Sequence, residues 1–152
     1  LELRKALTRI IREVRPQVVV TLDWTTIVAN NGRYINHPDH RAVGEATMYA
    51  VFPSAETRPI FSDLLDEGLE PHKVNYLYFT LVMEPNLYVD ISEQMTRKQD
   101  ALRCHKSQLN EDVVEMVTRW NKESGEQIGA GYAEVFRVLP LNEPSQDEAE
   151  AQ

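Results

Sequence analysis

The chain has 152 residues, 42% of them hydrophobic and 26% charged, the proportions of an ordinary globular domain able to bury a core without staples. Sixteen Lys and Arg against 24 Asp and Glu give a formal net charge of -8, which argues against a nucleic-acid partner, since phosphate binding works by releasing counterions to cationic side chains. No run approaches the ~18 apolar residues of a membrane span, no leader peptide is evident, and the lone Cys104 excludes an intramolecular disulfide and a cysteine zinc finger, so a cytoplasmic location is expected.

Residues 1–15 predict an amphipathic helix. Leu3, Leu7, Ile10, Ile11 and Val14 recur at helical spacing, and Glu2, Arg4, Lys5, Arg9, Arg12 and Glu13 take the outer face. Pro16 ends it. Val18-Val19-Val20-Thr21-Leu22 reads as a strand buried on both faces of a parallel sheet, because the β-branched run has polar residues only at its ends. A helix, a proline turn and a buried strand form an αβ unit, which makes α/β the fold class. Residues 23–36 read as a loop with a turn at Asn30-Asn31-Gly32. From about Arg41 to Phe52 the pattern is helical again, with Asp39 as N-cap and Ala42, Val43, Ala46, Ala50 and Val51 inward. The stretch 53–72 holds Pro53, Pro59, Gly68 and Pro71 around a short helical piece, Ile60 to Leu65, a composition closer to an active-site rim than to a core element.

Val74 to Val82 alternates and is rich in Tyr, Phe and Leu, predicting a strand, and Leu87 to Ile91 predicts a second. Ser92 opens a helix to about Ser107 with Met95, Ala101 and Leu102 inward. Asn110 caps another helix, with Val113, Val114, Val117 and Trp120 inward. Gly125, Gly129 and Gly131 precede a last strand near Tyr132–Val138. The folded domain is expected over 1–141, followed by an acidic, disordered tail over 142–152.

One local cluster is dense in chemistry: Tyr34-Ile35-Asn36-His37-Pro38-Asp39-His40-Arg41. It falls where a loop after a buried strand enters a helix, and open α/β sheets bind ligands beyond the carboxyl ends of their strands. A neutral imidazole is a good zinc ligand, and a second one oriented by a carboxylate is a good acid or base. The tetrapeptide alone admits a plainer account, a capped loop with both histidines at the surface. His-Pro-Asp is also the tripeptide of J-domain cochaperones, but there it links two helices after a basic helix, whereas here it follows a strand and a turn in an acidic chain.

Four stretches together resemble the LmbE or PIG-L family of zinc-dependent deacetylases, which act on N-acetylglucosamine-containing substrates. They are Leu7 through Thr21, His37-Pro38-Asp39-His40-Arg41-Ala42-Val43-Gly44, Ala101-Leu102-Arg103-Cys104-His105-Lys106-Ser107-Gln108, and Gly131-Tyr132-Ala133-Glu134-Val135-Phe136-Arg137. The resemblance implies a Rossmann-like three-layer α/β sandwich and a bound Zn2+ ion. It implies His40 as a metal ligand, His37 as the catalytic group that stabilises the oxyanion or protonates the leaving amine, and Asp39 as the residue holding His37. It points to Tyr34 and His105 as substrate-binding positions, with Trp24 as a stacking face for a sugar, and it leaves Glu134 structural. The implied substrate is a small N-acetylated amino-sugar conjugate, losing acetate to a metal-activated water.

The departure from the pattern is large. The family's first motif, Ala-His-Pro-Asp-Asp, supplies two zinc ligands and the base, and no second His-Pro-Asp occurs in this chain. His72, in Pro71-His72-Lys73, has no carboxylate in register to replace it. The chain opens at Leu1 inside a helical pattern, so these residues are expected to be the C-terminal portion of a larger deacetylase-like chain, lacking the N-terminal strands. The alternatives are a second chain that completes the site, or a non-catalytic interaction module or remnant. Missing strands would leave an unpaired sheet edge, which predicts self-association.

Overall fold

The structure, a computed structural model, describes residues 1–29 and 34–142. The turn predicted at Asn30-Asn31-Gly32 and the tail from 143 onward lie outside the described residues. The chain forms two compact units, Leu1–Glu84 with Arg137–Gln152, and Pro85–Phe136.

The first unit begins with helix α1 (Glu2–Val14), closed by Arg15 in the left-handed conformation. Strand β1 (Val18–Leu22) follows, then a small antiparallel ladder of β2 (Val28–Ala29) with β3 (Tyr34–Ile35). Helix α2 (Pro38–Tyr49) runs into a π-helical segment, Ala50–Ala55, broken at Phe52 by extended backbone. A short helix α3 (Asp63–Asp66) leads to strand β4 (Tyr76–Thr80). β1 and β4 pair in parallel, from Val18 opposite Tyr76 to Leu22 opposite Thr80. Their connection runs through α2, as parallel strands require a crossover. β4 also takes the end of β6 (Ala133–Pro140) antiparallel, Phe79 opposite Arg137. The core holds Ile11, Ala50, Val51, Ala55, Val74, Leu77 and Phe79. Asn142 ties the chain back to this unit through its Nδ2, which donates to the Val74 carbonyl at 2.9 Å.

Four expectations for this unit are corrected. β1 is not buried on both faces: Val18 is 41% and Val20 58% exposed. Among the described residues β1 pairs only with β4 and ends the strand order, so its β-branched run faces an open flank. A groove of about 470 Å³ lies there, with Leu7, Ile10, Val14, Val18, Val20 and Val43 in its lining. On α1, Leu3, Ile10 and Val14 are exposed while Thr8, Ile11 and Arg12 are buried. Arg12 was placed on the outer face, but its guanidinium reaches the carbonyls of Ser54, Ala55, Thr57 and Ile60. Periodicity cannot show such partners, because they come from a distant segment. The stretch 53–72 also contributes to the core rather than lying wholly at the surface, since Ser54, Ala55 and Leu64 are fully buried. On α2, Ala42 is exposed, and Gly44 and Thr47 are the residues buried within the helix.

Two exposed ion pairs, Lys5–Asp63 at 2.5 Å and Arg9–Glu67, also join α1 to the α3 region. The hydrogen bonds from Lys5 and Arg9 hold the Asp63 and Glu67 carboxyls below their usual range. Solvent screening keeps the contribution of such pairs small.

The open flank gives the predicted self-association a location. Light scattering across a concentration series is expected to show the average mass rising, and Val20→Lys is expected to suppress the rise, since an edge lysine opposes strand addition. A mass equal to one chain at every concentration would remove the expectation.

In the second unit, β5 (Leu87–Asp90) pairs antiparallel with the first half of β6, Leu87 opposite Phe136 and Asp90 opposite Ala133. Helices α4 (Met95–Arg103) and α5 (Glu111–Glu126) meet through Gln99 Nε2, which donates to Thr118 Oγ1 at 2.9 Å. Asn110 is the N-cap of α5, as predicted, its side chain accepting from the Val113 amide. α4 ends at Arg103 rather than near Ser107, and Ala101 is exposed, not inward. On α5, Trp120 is exposed, whereas Asn121 and Gly125 are buried. Asn121 Nδ2 donates to the Ala133 carbonyl at 2.7 Å, which gives a polar side chain a reason to face inward. Glu134 accepts from Lys98 Nζ at 2.5 Å.

Candidate functional site

α2 is aimed by its contact with β1. A Cβ on Gly44 would stand 2.3 Å from the Leu22 carbonyl oxygen and 3.2 Å from Trp24 Cβ. The helix therefore lies against the carboxyl end of β1 at a distance only glycine permits. His40 precedes Gly44 by one turn and shares its face. The strand end itself is extended by the Asp23 amide, which donates to the Thr80 carbonyl at 3.0 Å.

His37, not Asp39, is the N-cap of α2. Its Nδ1 accepts from the Asp39 backbone N–H at 3.1 Å, and Pro38 occupies the first helical position, where a missing N–H costs nothing. The Asp39 carboxylate stands 3.6 Å from the same Nδ1, and its side chain is 89% exposed. His37 is thus held by the Asp39 main chain first. With Nδ1 accepting, the neutral ring carries its proton on Nε2. The His37 and His40 rings lie 5.5 Å apart between centroids, tilted by 49°. His40 is half-buried, and its Nδ1 is buried with no partner among the described residues.

The other predicted positions fall differently. Tyr34 sits on β3, exposed, three residues before His37. His105 is exposed and belongs to the second unit, just past α4. Trp24 is half-buried and packs against the core cluster, so packing occupies it. His72 donates from Nε2 to the Pro16 carbonyl at 2.8 Å, before the start of β1 and so at the opposite end of that strand from Asp23.

Two residues escaped the sequence reading. Asp23 is 4% exposed, and its carboxylate accepts from the Thr25 amide at 2.8 Å, Thr25 Oγ1 at 2.6 Å and Thr26 Oγ1 at 2.9 Å. Asn36 is 5% exposed, and its Nδ2 donates to the carbonyls of Asp23 and Thr26 at 3.1 and 2.9 Å. Asp23-Trp24-Thr25-Thr26 after a strand was the available signal, since short polar side chains bond nearby backbone in loops.

A catalytic zinc site takes about three protein ligands. Among the described residues no group of three His, Cys, Asp or Glu side chains is placed to hold a metal ion. His40 offers a partnerless buried nitrogen, but the described residues do not by themselves make a zinc site.

The sequence model of the family described as "PIG-L: GlcNAc-PI de-N-acetylase" matches residues 1–51. The chain is 36% identical over 148 residues to the diacetylchitobiose deacetylase of Thermococcus kodakarensis, covering 91% of this chain and 51% of that protein. It is 30% identical over 139 residues to a 1D-myo-inositol 2-acetamido-2-deoxy-alpha-D-glucopyranoside deacetylase of Saccharopolyspora erythraea, covering 79% of this chain and 41% of the relative. Among solved structures, the N,N'-diacetylchitobiose deacetylase of Pyrococcus horikoshii superposes with a TM-score of 0.80 at 32% identity, over 96% of this chain and 55% of that one. The α/β expectation holds, with the Rossmann-like architecture of these neighbours. The chain spans about half the length of the curated relatives it matches.

Proposed function

The chain belongs to the PIG-L (LmbE) family, and we propose that it carries the two-histidine part of a deacetylase site that cleaves the acetamide of an N-acetylated amino sugar. The substrates named for its relatives, diacetylchitobiose and an inositol-linked 2-acetamido-2-deoxyglucoside, define the class. The observation that carries this reading is the His37–His40 pair, with ring centroids 5.5 Å apart on a helix that Gly44 seats at the carboxyl end of β1.

Hydrolysis of an acetamide breaks the C–N bond and must protonate the departing nitrogen. His37 suits that task as imidazolium, which can give its Nε2 proton to the departing nitrogen and return to the neutral ring whose Nδ1 accepts from the Asp39 amide. When the ring takes a second proton, Nδ1 becomes a donor and the Asp39 carboxylate, 3.6 Å away, is the acceptor for it. Zinc enters this reading with His40 as one ligand and its remaining donors outside the described residues.

Acetate release from N,N'-diacetylchitobiose tests the function, measured on the protein as expressed from its gene together with its zinc content. His40→Ala is expected to lower acetate release by at least ~100-fold, since even supporting partners of metal ligands are worth 10- to 100-fold, and to lower the bound zinc. Undiminished zinc and activity in that variant would refute the ligand role. Absence of acetate release from the unsubstituted protein would favour the interaction-module reading, which the incomplete donor set and the open β1 flank also support.

A further inference from the structure

Resting on the reading of His37 and His40 as the reactive pair, we propose that Asn36 is a positioning residue for both, locked in place by Asp23. The geometry is a closed chain of hydrogen bonds at the carboxyl end of β1. Asp23 is anchored to β4 by its own amide, at 3.0 Å from the Thr80 carbonyl. Its carboxylate fixes Thr25 and Thr26 through three donors. Asn36 then returns to the same place: its Nδ2 bridges the Asp23 and Thr26 carbonyls, and its backbone N–H donates to the Ile27 carbonyl at 2.9 Å. Three bonds thus hold the residue immediately before the His37 cap.

The helix is held again on the far side of the pair by Gly44 against Leu22 and Trp24. His37 and His40 therefore lie between two fixed points, both referred to the end of the same strand. The orientation of the Asn36 amide follows from its partners, since both are carbonyls and only the NH2 end can donate. Among the described residues, that choice leaves Asn36 Oδ1 buried with no partner, as His40 Nδ1 also is. Arg12 Nη1 and Asn121 Oδ1 share that state elsewhere in the fold, so the positioning role rests on the three bonds that Asn36 makes.

Long-range 15N–1H spectra of the four imidazoles read the positioning directly. The unsubstituted protein is expected to show His37 as a single Nε2–H tautomer. Asn36→Ala is expected to give averaged tautomer shifts at His37 and altered shifts at His40. His72, bonded to Pro16, and His105, in the second unit, serve as internal controls and are expected to stay unchanged. Thr26→Val removes only the hydroxyl bond to Asp23 and should move His37 in the same direction by less. It decides the matter by the same criterion if Asn36→Ala does not fold. Unchanged His37 and His40 signals in a folded variant would overturn the positioning role, as would equal shifts at all four rings. In the acetate assay the expected signature is kcat lower by about tenfold with KM within about twofold, the mark of misorientation rather than lost binding. If the unsubstituted protein releases no acetate, the function falls, and the spectra still decide whether Asn36 positions the pair.

Discussion

Arg12→Ala is expected to destabilise the Leu1–Glu84 unit by about 3–5 kcal/mol, the range reached when a buried hydrogen-bond network is broken. Arg12 is 2% exposed, and its guanidinium donates to four main-chain oxygens: Ser54 and Thr57 at 2.9 Å, Ala55 and Ile60 at 3.2 Å. These oxygens belong to the segment between α2 and α3, where regular helix bonding is interrupted; Ala55 also accepts from the His72 N–H at 2.9 Å and Thr57 from the Ile60 N–H at 3.2 Å. Removing the fork takes a donor from all four, at a cost of about 1–3 kcal/mol for each one left without any donor and out of reach of water. Burial lowers the Arg12 pKa and the nearby Glu70 opposes this, but guanidinium remains charged at any working pH. Arg12→Lys keeps the charge and still fails, because a single ammonium cannot span carbonyls spread from Ser54 to Ile60. Urea unfolding followed by circular dichroism gives the answer. A midpoint within error of the unsubstituted protein for Arg12→Ala would show that the segment finds its partners elsewhere.

The second large effect is expected from Gly44→Ala, and its sign is informative. In an exposed helix interior, Ala in place of Gly stabilises by about 1 kcal/mol. Here the added Cβ would meet the Leu22 carbonyl oxygen at 2.3 Å, which is backbone in a paired strand and cannot step aside. Helix α2 must move away, and overpacking of this kind costs about 1–3 kcal/mol or more. The net expectation is a loss of about 2 kcal/mol together with displaced His37 and His40 rings. Ala42→Gly on the exposed side of the same helix provides the comparison, with an expected loss of about 1 kcal/mol from propensity alone and undisturbed histidine spectra. A Gly44→Ala protein as stable as its parent would mean that α2 is not seated on the strand.

The α/β alternation was legible because local rules create it. Val18–Leu22 was bounded correctly as a strand, since Pro16 and a β-branched run leave few other conformations. Asn110 was legible as a cap because its bond is made three residues away. The histidine cluster was found by residue type alone, but which residue capped the helix was not, because Asp39 and His37 compete for the same turn and only the backbone path decides between them.

What the sequence determined by itself, then, is the periodicity of its elements, the place of the two imidazoles at a helix start, and the family whose motifs it shares. Each of these depends on neighbours within a few positions. Only the tertiary structure decided that Arg12 is inside and Val20 outside, that Gly44 brings α2 onto β1, and that Asp23 and Asn36 bind one loop into a support for His37. Those outcomes turn on partners 10 to 48 residues away, and polarity patterns carry no record of which distant carbonyl a side chain will meet.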